Sequence, residues 1–282
     1  MFDDKLIESV KHIARQAGEA ILTLYHQADL NIQHKSDKTP VTVADLKANE
    51  VIEQGLKALQ VQYPMLSEES EHTAFPERCQ WQRYWLVDPL DGTQEFINGN
   101  GQFTVNIALM EKSEEGPSYP LLGVVQVPDE HTLYWGGRGL GAFKQIGDQP
   151  AVTITPRIFQ PEKRVVALGS RSYGTERAAV FVKKLKALYP NLEIRPVGSA
   201  LKSCHIAEGL ADIYPRLGPT SEWDTGAAQA VLEGAGGLLL DPDGKRFSYN
   251  FKESLLNSDF LVVGDPTQNW SKIWNPQVLG SL

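Results

Sequence analysis

Residues 85–96 read WLVDPLDGTQEF. An apolar run stops here, Asp88 and Asp91 stand three apart across a proline, and Gly-Thr follows at once. Tyr84 to Val87 carry a strand pattern, and side chains leaving a strand end into a turn can converge on one point in space. Hard oxygen ligands on a tight turn suit Mg²⁺, which takes near-octahedral oxygen at ~2.0 to 2.1 Å from one or two carboxylates plus substrate phosphate. Gly92 lets the backbone come close to a ligand, and the N–H groups after it can meet phosphate oxygens. The alternative is a plain turn, because Asp, Pro and Gly are the usual turn residues.

Spacing excludes two other motifs. A calcium-binding EF-hand loop needs oxygen residues at alternate positions before its glycine and a Glu six further on, whereas Glu95 comes three after Gly92. Haloacid dehalogenase-like phosphatases separate their two aspartates by one residue, not two, which disfavours an aspartyl-phosphate mechanism.

Upstream, Leu6, Val10, Ile13, Ala17, Ile21 and Tyr25 recur at helical spacing, as do Ala44, Ala48, Val51, Ile52, Leu56 and Leu59. These predict two amphipathic helices. Short apolar runs at 84–87, 103–109, 121–127, 132–135 and 141–144 predict a largely antiparallel sheet. Beyond about residue 155 strand and helix patterns alternate through RVVALGS, ERAAVFVKKLKALYP, LEIRPVG, SALKSCHIAEGL, DIYPRLG, TGAAQAVLEGAGG and FLVVG, the order of an α/β unit. At 282 residues the chain exceeds the size at which a single core usually stops growing. Two domains are therefore expected: 1–155, α+β, and 156–282, α/β, with the boundary in the proline-interrupted segment 153–164. No internal repeat or low-complexity tract is visible.

Hydrophobic content of 41% and charged content of 22% are those of an ordinary soluble protein, and no apolar run approaches the ~18 residues of a membrane span. The N-terminus has no basic, block-apolar export signal. Cys79 and Cys204 are too few and too far apart for a disulfide framework, and neither pairs with another cysteine at zinc-site spacing. A cytoplasmic location follows as the expectation. A net charge of −8 disfavours long nucleic acid, whose binding draws on clustered Lys and Arg. A small anion is compatible with that charge where metal ions or local basic groups neutralise it.

Three more acidic stretches each have two readings. Glu68 and Glu69 close the apolar PMLSEES as surface charges or as a strand end feeding the same cluster. Asp45, three after Thr42, fits a helix capping box, and Asp224 ahead of an Ala-rich helix fits an N-cap.

Taken together, KSDKTPVTVADLKANEVI (35–52), LSEES, WLVDPLDGTQEFINGNGQFTVNIAL (85–109), GSRS (169–172) and the run 198–237 resemble the lithium-sensitive, Mg²⁺-dependent phosphatases of the inositol monophosphatase superfamily. Within it, IYPRLGPTSEWDT is similar to the 3′(2′),5′-bisphosphate nucleotidases of the CysQ type. The resemblance implies a layered α-β-α-β-α sandwich. It also implies two or three Mg²⁺ held by the side chains of Glu68, Asp88, Asp91 and Asp224 and the carbonyl of Leu90. Asp45 and Thr93, with Glu68, would then act on the attacking water, while the N–H groups of Gly92 and Thr93 cradle the scissile phosphate. Glu68, Leu90, Asp91 and Asp224 would border the substrate as well, and Ser170, Lys202, Arg216 and Glu222 would surround the nucleoside and its second phosphate. Gln94 departs from the lysine expected in many relatives. The implied substrate is adenosine 3′,5′-bisphosphate, or its sulfated form, in sulfate assimilation.

The alternatives are an inositol or sugar-phosphate phosphatase on the same fold and a catalytically silent metal- and phosphate-binding regulator. The resemblance adds association with the inner face of the membrane, to which the composition lends nothing.

Overall fold

The computed structural model describes residues 4–25, 33–34, 40–170 and 175–280. Residues 35–39 and 171–172 of the quoted motifs lie outside the described residues. Helix α1 (Asp4–Leu22) is followed by a two-stranded ladder, β1 (Gln33–His34) with β2 (Pro40–Val41), and by helix α2 (Val43–Lys57). Ile7, Val10, Ile13, Ala17 and Ile21 of α1 and Ala44, Ala48, Ile52 and Leu56 of α2 share one buried cluster with residues of the first large sheet. Leu6, Val51 and Leu59 of the predicted stripes are only partly buried at its edge. Each fully buried Leu, Ile or Val contributes roughly 1.5 to 3 kcal/mol, so these stripes are enough to seat both helices on the sheet.

That sheet contains seven strands in sequence order: β3 (Met65–Ser67), β4 (Arg83–Asp91), β5 (Thr104–Lys112), β6 (Ser118–Val127), β7 (Thr132–Gly137), β8 (Gly141–Ile146) and β9 (Val152–Thr153). A four-residue helix α3 (Phe75–Arg78) precedes β4, and α4 (Thr93–Ile97) follows it. All neighbours are antiparallel except β3 and β4.

The aspartates do not sit in a turn beyond a short strand, as the sequence suggested. Strand β4 runs through both of them, with Asp88 opposite Asn106, Asp91 opposite Thr104, and a register shift between. Residues three apart on a regular strand point to opposite faces. Pro89 cannot donate to the ladder, and the bulge it accompanies reverses that alternation so that both carboxylates serve one site.

The second sheet holds β10 (Val165–Gly169), β11 (Leu192–Pro196), β12 (Ile213–Arg216), β13 (Leu238–Leu240) and β14 (Phe260–Val263) in the order β11-β10-β12-β14-β13. Between these strands come α5 (Glu176–Leu188), α6 (Leu201–Ala207) and α7 (Gly226–Ala235), and α8 (Pro276–Gly280) closes the described chain. Strand β10 is parallel to β11 and β12, as strand and helix alternation requires. The last strand is a correction to that pattern: β14 runs antiparallel to both β12 and β13. Strand β13 is only three residues long and follows the helix-ending glycines directly, so no periodicity announces it.

Five layers result. Helices α1 and α2 cover one face of the large sheet, α6 and α7 fill the space between the sheets, and α5, α8 and a turn at Trp270 to Lys272 cover the outer face of the small sheet. The middle cluster joins Leu86, Met110 and Val125 from one sheet to Ala227 and Val231 of α7 and to Val166, Leu239 and Val262 from the other. Helix α7 lies against β6 so closely that a Cβ on Gly123 would stand 2.0 Å from the Ala227 carbonyl oxygen. This contact fixes the height of α7, and hence of the turn before it, over the sheet that carries Asp88 and Asp91.

Candidate active site

The site forms where β3, β4, the start of α2 and the turn before α7 meet. Thr42 is the N-cap of α2, and Asp45 completes the capping box: its Oδ2 accepts from Thr42 N at 2.7 Å and Thr42 Oγ1 at 2.6 Å. Its second oxygen, Oδ1, accepts from Thr93 Oγ1 at 3.1 Å. One oxygen of this carboxylate thus serves the helix cap and the other the Thr93 hydroxyl. Burial pushes its pKa up, opposed by the bonds from Thr42 and Thr93.

Gly92 has φ 93°, the left-handed conformation that glycine adopts without strain, and turns the chain from β4 into α4. A side chain there would meet Gln102 O at 3.2 Å. The turn presents Thr93, whose Oγ1 also lies 3.4 Å from the Leu90 carbonyl oxygen.

Carboxylate oxygens of Glu68, Asp88 and Asp224 lie within 4.8 Å of one another. Asp88 is 1% exposed. Its Oδ1 accepts from Leu90 N at 3.0 Å, while its buried Oδ2 has no hydrogen-bond partner among the described residues. Asp91 Oδ2 accepts from Asn106 Nδ2 at 3.4 Å. Burial pushes Asp88 well above the usual carboxylate range, with Glu68, Asp91, Asp224 and Asp45 acting in the same direction, so all five acids share one field. Asp224 is pushed up to about 8 by burial, then by Asp91 and Glu68. Asp91 rises to about 6 through burial, held back by Lys202 and the Ala200 N–H. Clustered anions shift in this direction when nothing neutralises them.

Asp224 is not the N-cap of α7, as its position suggested. Thr225 holds that place, and Asp224 instead closes a capping box with Ser221 on a separate 3₁₀ turn, Glu222–Asp224, accepting from Ser221 N at 2.8 Å.

Lys202, near the start of α6, is buried and donates to Ser199 O at 2.7 Å and Val197 O at 3.3 Å. Burial lowers its pKa to about 8 against the pull of Asp91, with Arg216 pushing the same way as burial. Arg216 donates to Pro219 O at 2.8 Å. Both cations thus stand on the Asp91 and Asp224 side of the cluster. Ser170 lies half-buried just past the end of β10.

Glu222 faces elsewhere. It is 1% exposed, and both its oxygens accept from Asn250 N at 3.1 Å. Burial moves it up to about 7, opposed by that N–H and by Lys252 and Arg78.

Supporting residues escaped the sequence reading. Asn49, one turn beyond Asp45 on α2, accepts from Ser67 Oγ at 2.7 Å and donates to Ser70 Oγ at 3.3 Å, holding the segment that carries Glu68. The i, i+4 spacing from Asp45 was its only sequence signal. Buried Arg78 had none.

The donor set fits a divalent cation. All donors are hard oxygens, and ligands around an octahedral ion at ~2.1 Å stand about 3 to 4 Å apart, so the cluster needs only slight contraction. The Asp88 Oδ2 supplies a buried lone pair that no group among the described residues uses.

Five-layered folds with an acidic cluster of this kind include metal-dependent phosphatases, and the inositol monophosphatase family model matches residues 3–272. This chain belongs to the inositol monophosphatase family. It is 41% identical over 259 residues to the 3′(2′),5′-bisphosphate nucleotidase CysQ of Salmonella typhimurium, covering 92% of this chain and 99% of that protein. Identity to the CysQ nucleotidase of Escherichia coli is 39% over 258 residues, covering 91% and 99%. The crystal structure of CysQ from Bacteroides thetaiotaomicron matches with a TM-score of 0.80 at 36% identity, covering 93% of this chain and 98% of that one.

Proposed function

We propose that the protein is a Mg²⁺-dependent phosphatase that removes the 3′-phosphate of adenosine 3′,5′-bisphosphate, yielding AMP and phosphate, with the sulfated nucleotide as a second substrate. The observation that carries this reading is the gathering of Glu68, Asp88 and Asp224 within 4.8 Å, beside Asp91 and the Asp45–Thr93 pair. The CysQ-named relatives point to the nucleotide.

Glu68, Asp88, Asp91, Asp224 and the Leu90 carbonyl would hold two or three Mg²⁺ ions, with segment 1–155 supplying every ligand but Asp224. Bound Mg²⁺ supplies positive charge to the phosphoryl oxygens and acidifies the attacking water. Thr93 donates its hydroxyl hydrogen to Asp45 Oδ1, which leaves the Thr93 oxygen free to accept from a water and aim its lone pair at phosphorus. Asp45 receives the proton released as the new P–O bond forms, and its other oxygen stays tied to Thr42, so the acceptor does not swing away. As the ester P–O bond breaks, the 3′-oxygen leaves with the bonding pair and takes up a proton from water. The N–H groups of Gly92 and Thr93 at the left-handed turn meet the oxygens of the phosphate. Lys202 and Arg216 would meet the nucleotide's other phosphate, a role their positive charge near Asp91 and Asp224 supports, and segment 156–282, with Ser170, would supply the nucleoside contacts.

Among the described residues no helix is long and apolar enough to cross a membrane. Nothing in the structure or the relatives supports association with the inner membrane face.

Phosphate release from adenosine 3′,5′-bisphosphate and from inositol 1-phosphate, both with Mg²⁺, tests the reading. Preference for the nucleotide is expected. Preference for inositol phosphate would move the substrate to the sugar-phosphate class, and binding without turnover would make the protein a silent regulator.

A further inference from the structure

Glu68 and Asp224 reach the cluster from segments more than a hundred and fifty residues apart, so some structure must hold those segments together. A buried polar chain does so. Arg78, at the end of α3, is 2% exposed and donates to Lys252 O at 3.0 Å, Glu253 O at 2.6 Å and the Asn250 side-chain oxygen. Asn250 answers by donating Nδ2 to the Arg78 carbonyl at 2.8 Å. Its backbone N–H, at a left-handed φ of 53°, is then directed at both oxygens of Glu222. Glu222 opens the 3₁₀ turn that ends in Asp224. The same loop is bonded to this turn along its length, by Glu222 N to Leu255 O at 2.9 Å and Asn257 N to Thr220 O at 2.8 Å.

A buried cation and a buried anion joined through one asparagine cost desolvation energy that an apolar filling would avoid. Their position, bridging the helix α3 that follows Glu68 in the chain to the turn that ends in Asp224, gives that expense a use. Resting on the metal-site reading above, we infer that Arg78, Asn250 and Glu222 are positioning residues that set the Glu68 to Asp224 separation and thereby the affinity for the divalent cation. Glu222 then acts through Asp224 and not by touching the nucleotide, because its side chain is buried and both oxygens accept from Asn250 N.

Two variants of the full chain separate these roles. Glu222→Gln keeps the shape and removes the charge. Asn250→Gly suits the positive φ and keeps the N–H to Glu222 while deleting both side-chain links to Arg78. Binding of Mn²⁺ as the probe is followed by loss of the free-ion EPR signal, and KM for adenosine 3′,5′-bisphosphate is measured at saturating Mg²⁺. The expected result is Mn²⁺ affinity weakened about tenfold in Glu222→Gln and less in Asn250→Gly, the scale seen when groups supporting metal ligands are removed. KM should stay within about twofold, since binding of substrate itself is untouched. A tenfold rise in KM with unchanged Mn²⁺ binding would make Glu222 a direct nucleotide contact and overturn the inference. Unchanged values in both measurements would reduce the chain to core filling. Should Glu222→Gln fail to fold, the Asn250→Gly titration decides by the same criteria. Wild-type protein that binds no Mn²⁺ would instead defeat the metal-site reading on which the inference stands.

Discussion

Helix α7 has a carboxylate at each end, and the two are treated oppositely. Near its C-terminus, Glu233 is buried and accepts from Arg246 Nε at 2.8 Å, Arg246 Nη2 at 2.6 Å and Gln229 Nε2 at 2.9 Å. Just before its N-terminus, Asp224 meets Glu68, Asp88 and Asp91, and its pKa rises to about 8. Glu233 is buried and Asp224 half-buried, and withdrawing a carboxylate from water is costly unless the charge is paired. Glu233 carries its own fixed cation. Asp224 is built to receive one from outside, and the field of its neighbours is what makes that cation bind. A buried acid with a planar Arg fork across it reads as scaffold, whereas a half-buried acid facing other acids reads as machinery.

The largest effect that tests this contrast is at Asp224. Asp224→Asn removes a ligand and is expected to lower kcat by about a thousandfold or more. In metal-free buffer the same change relieves repulsion and raises the melting temperature. A loss of stability would show Asp224 to be a structural acid like Glu233. At the other end, Arg246→Met leaves Glu233 buried without its cation and is expected to cost about 3 kcal/mol. For a chain of this size that lowers the melting temperature by about 6 °C, with kcat unchanged. A large fall in kcat with little loss of stability would erase the distinction.

The smallest effect is in the pH dependence of the metal-free protein. The folded-state values of Asp91, about 6, and Asp224, about 8, lie above the ordinary carboxylate value near 4. The folded state therefore binds the extra protons. The two groups' contribution to stability is fully present below about pH 4 and is lost as pH rises through about 6 and then about 8. Melting temperature measured with EDTA from about pH 5 to about pH 9 should fall, and saturating Mg²⁺ should flatten or reverse the slope because the metal binds the ionised form. Identical slopes with and without Mg²⁺ would detach the acidic cluster from metal binding.

Much of this was legible before any coordinates. Heptad-like stripes in α1 and α2 and the alternation of strand and helix after residue 155 report local burial, which periodicity records directly. The acids at 45, 68, 88, 91 and 224 were visible as types at particular spacings, and the resemblance supplied their grouping. Other features were not visible, three of them decisive for the site and its surroundings. The bulge at Pro89 turns an unfavourable three-residue spacing into convergence, β14 reverses direction, and Glu222 points into the Asn250 loop. Each depends on a partner distant in the chain.

The sequence by itself determined which segments are amphipathic and that several carboxylates fall at element boundaries in excess of what capping requires. Only the tertiary structure decided that five of them share one field, that Glu233 does not join them, and that Arg78 and Asn250 stand behind Asp224. Backbone preferences act over a few residues and leave their mark on neighbouring letters. The energy of one charge near another depends on distance and burial in the folded chain, which no run of letters contains.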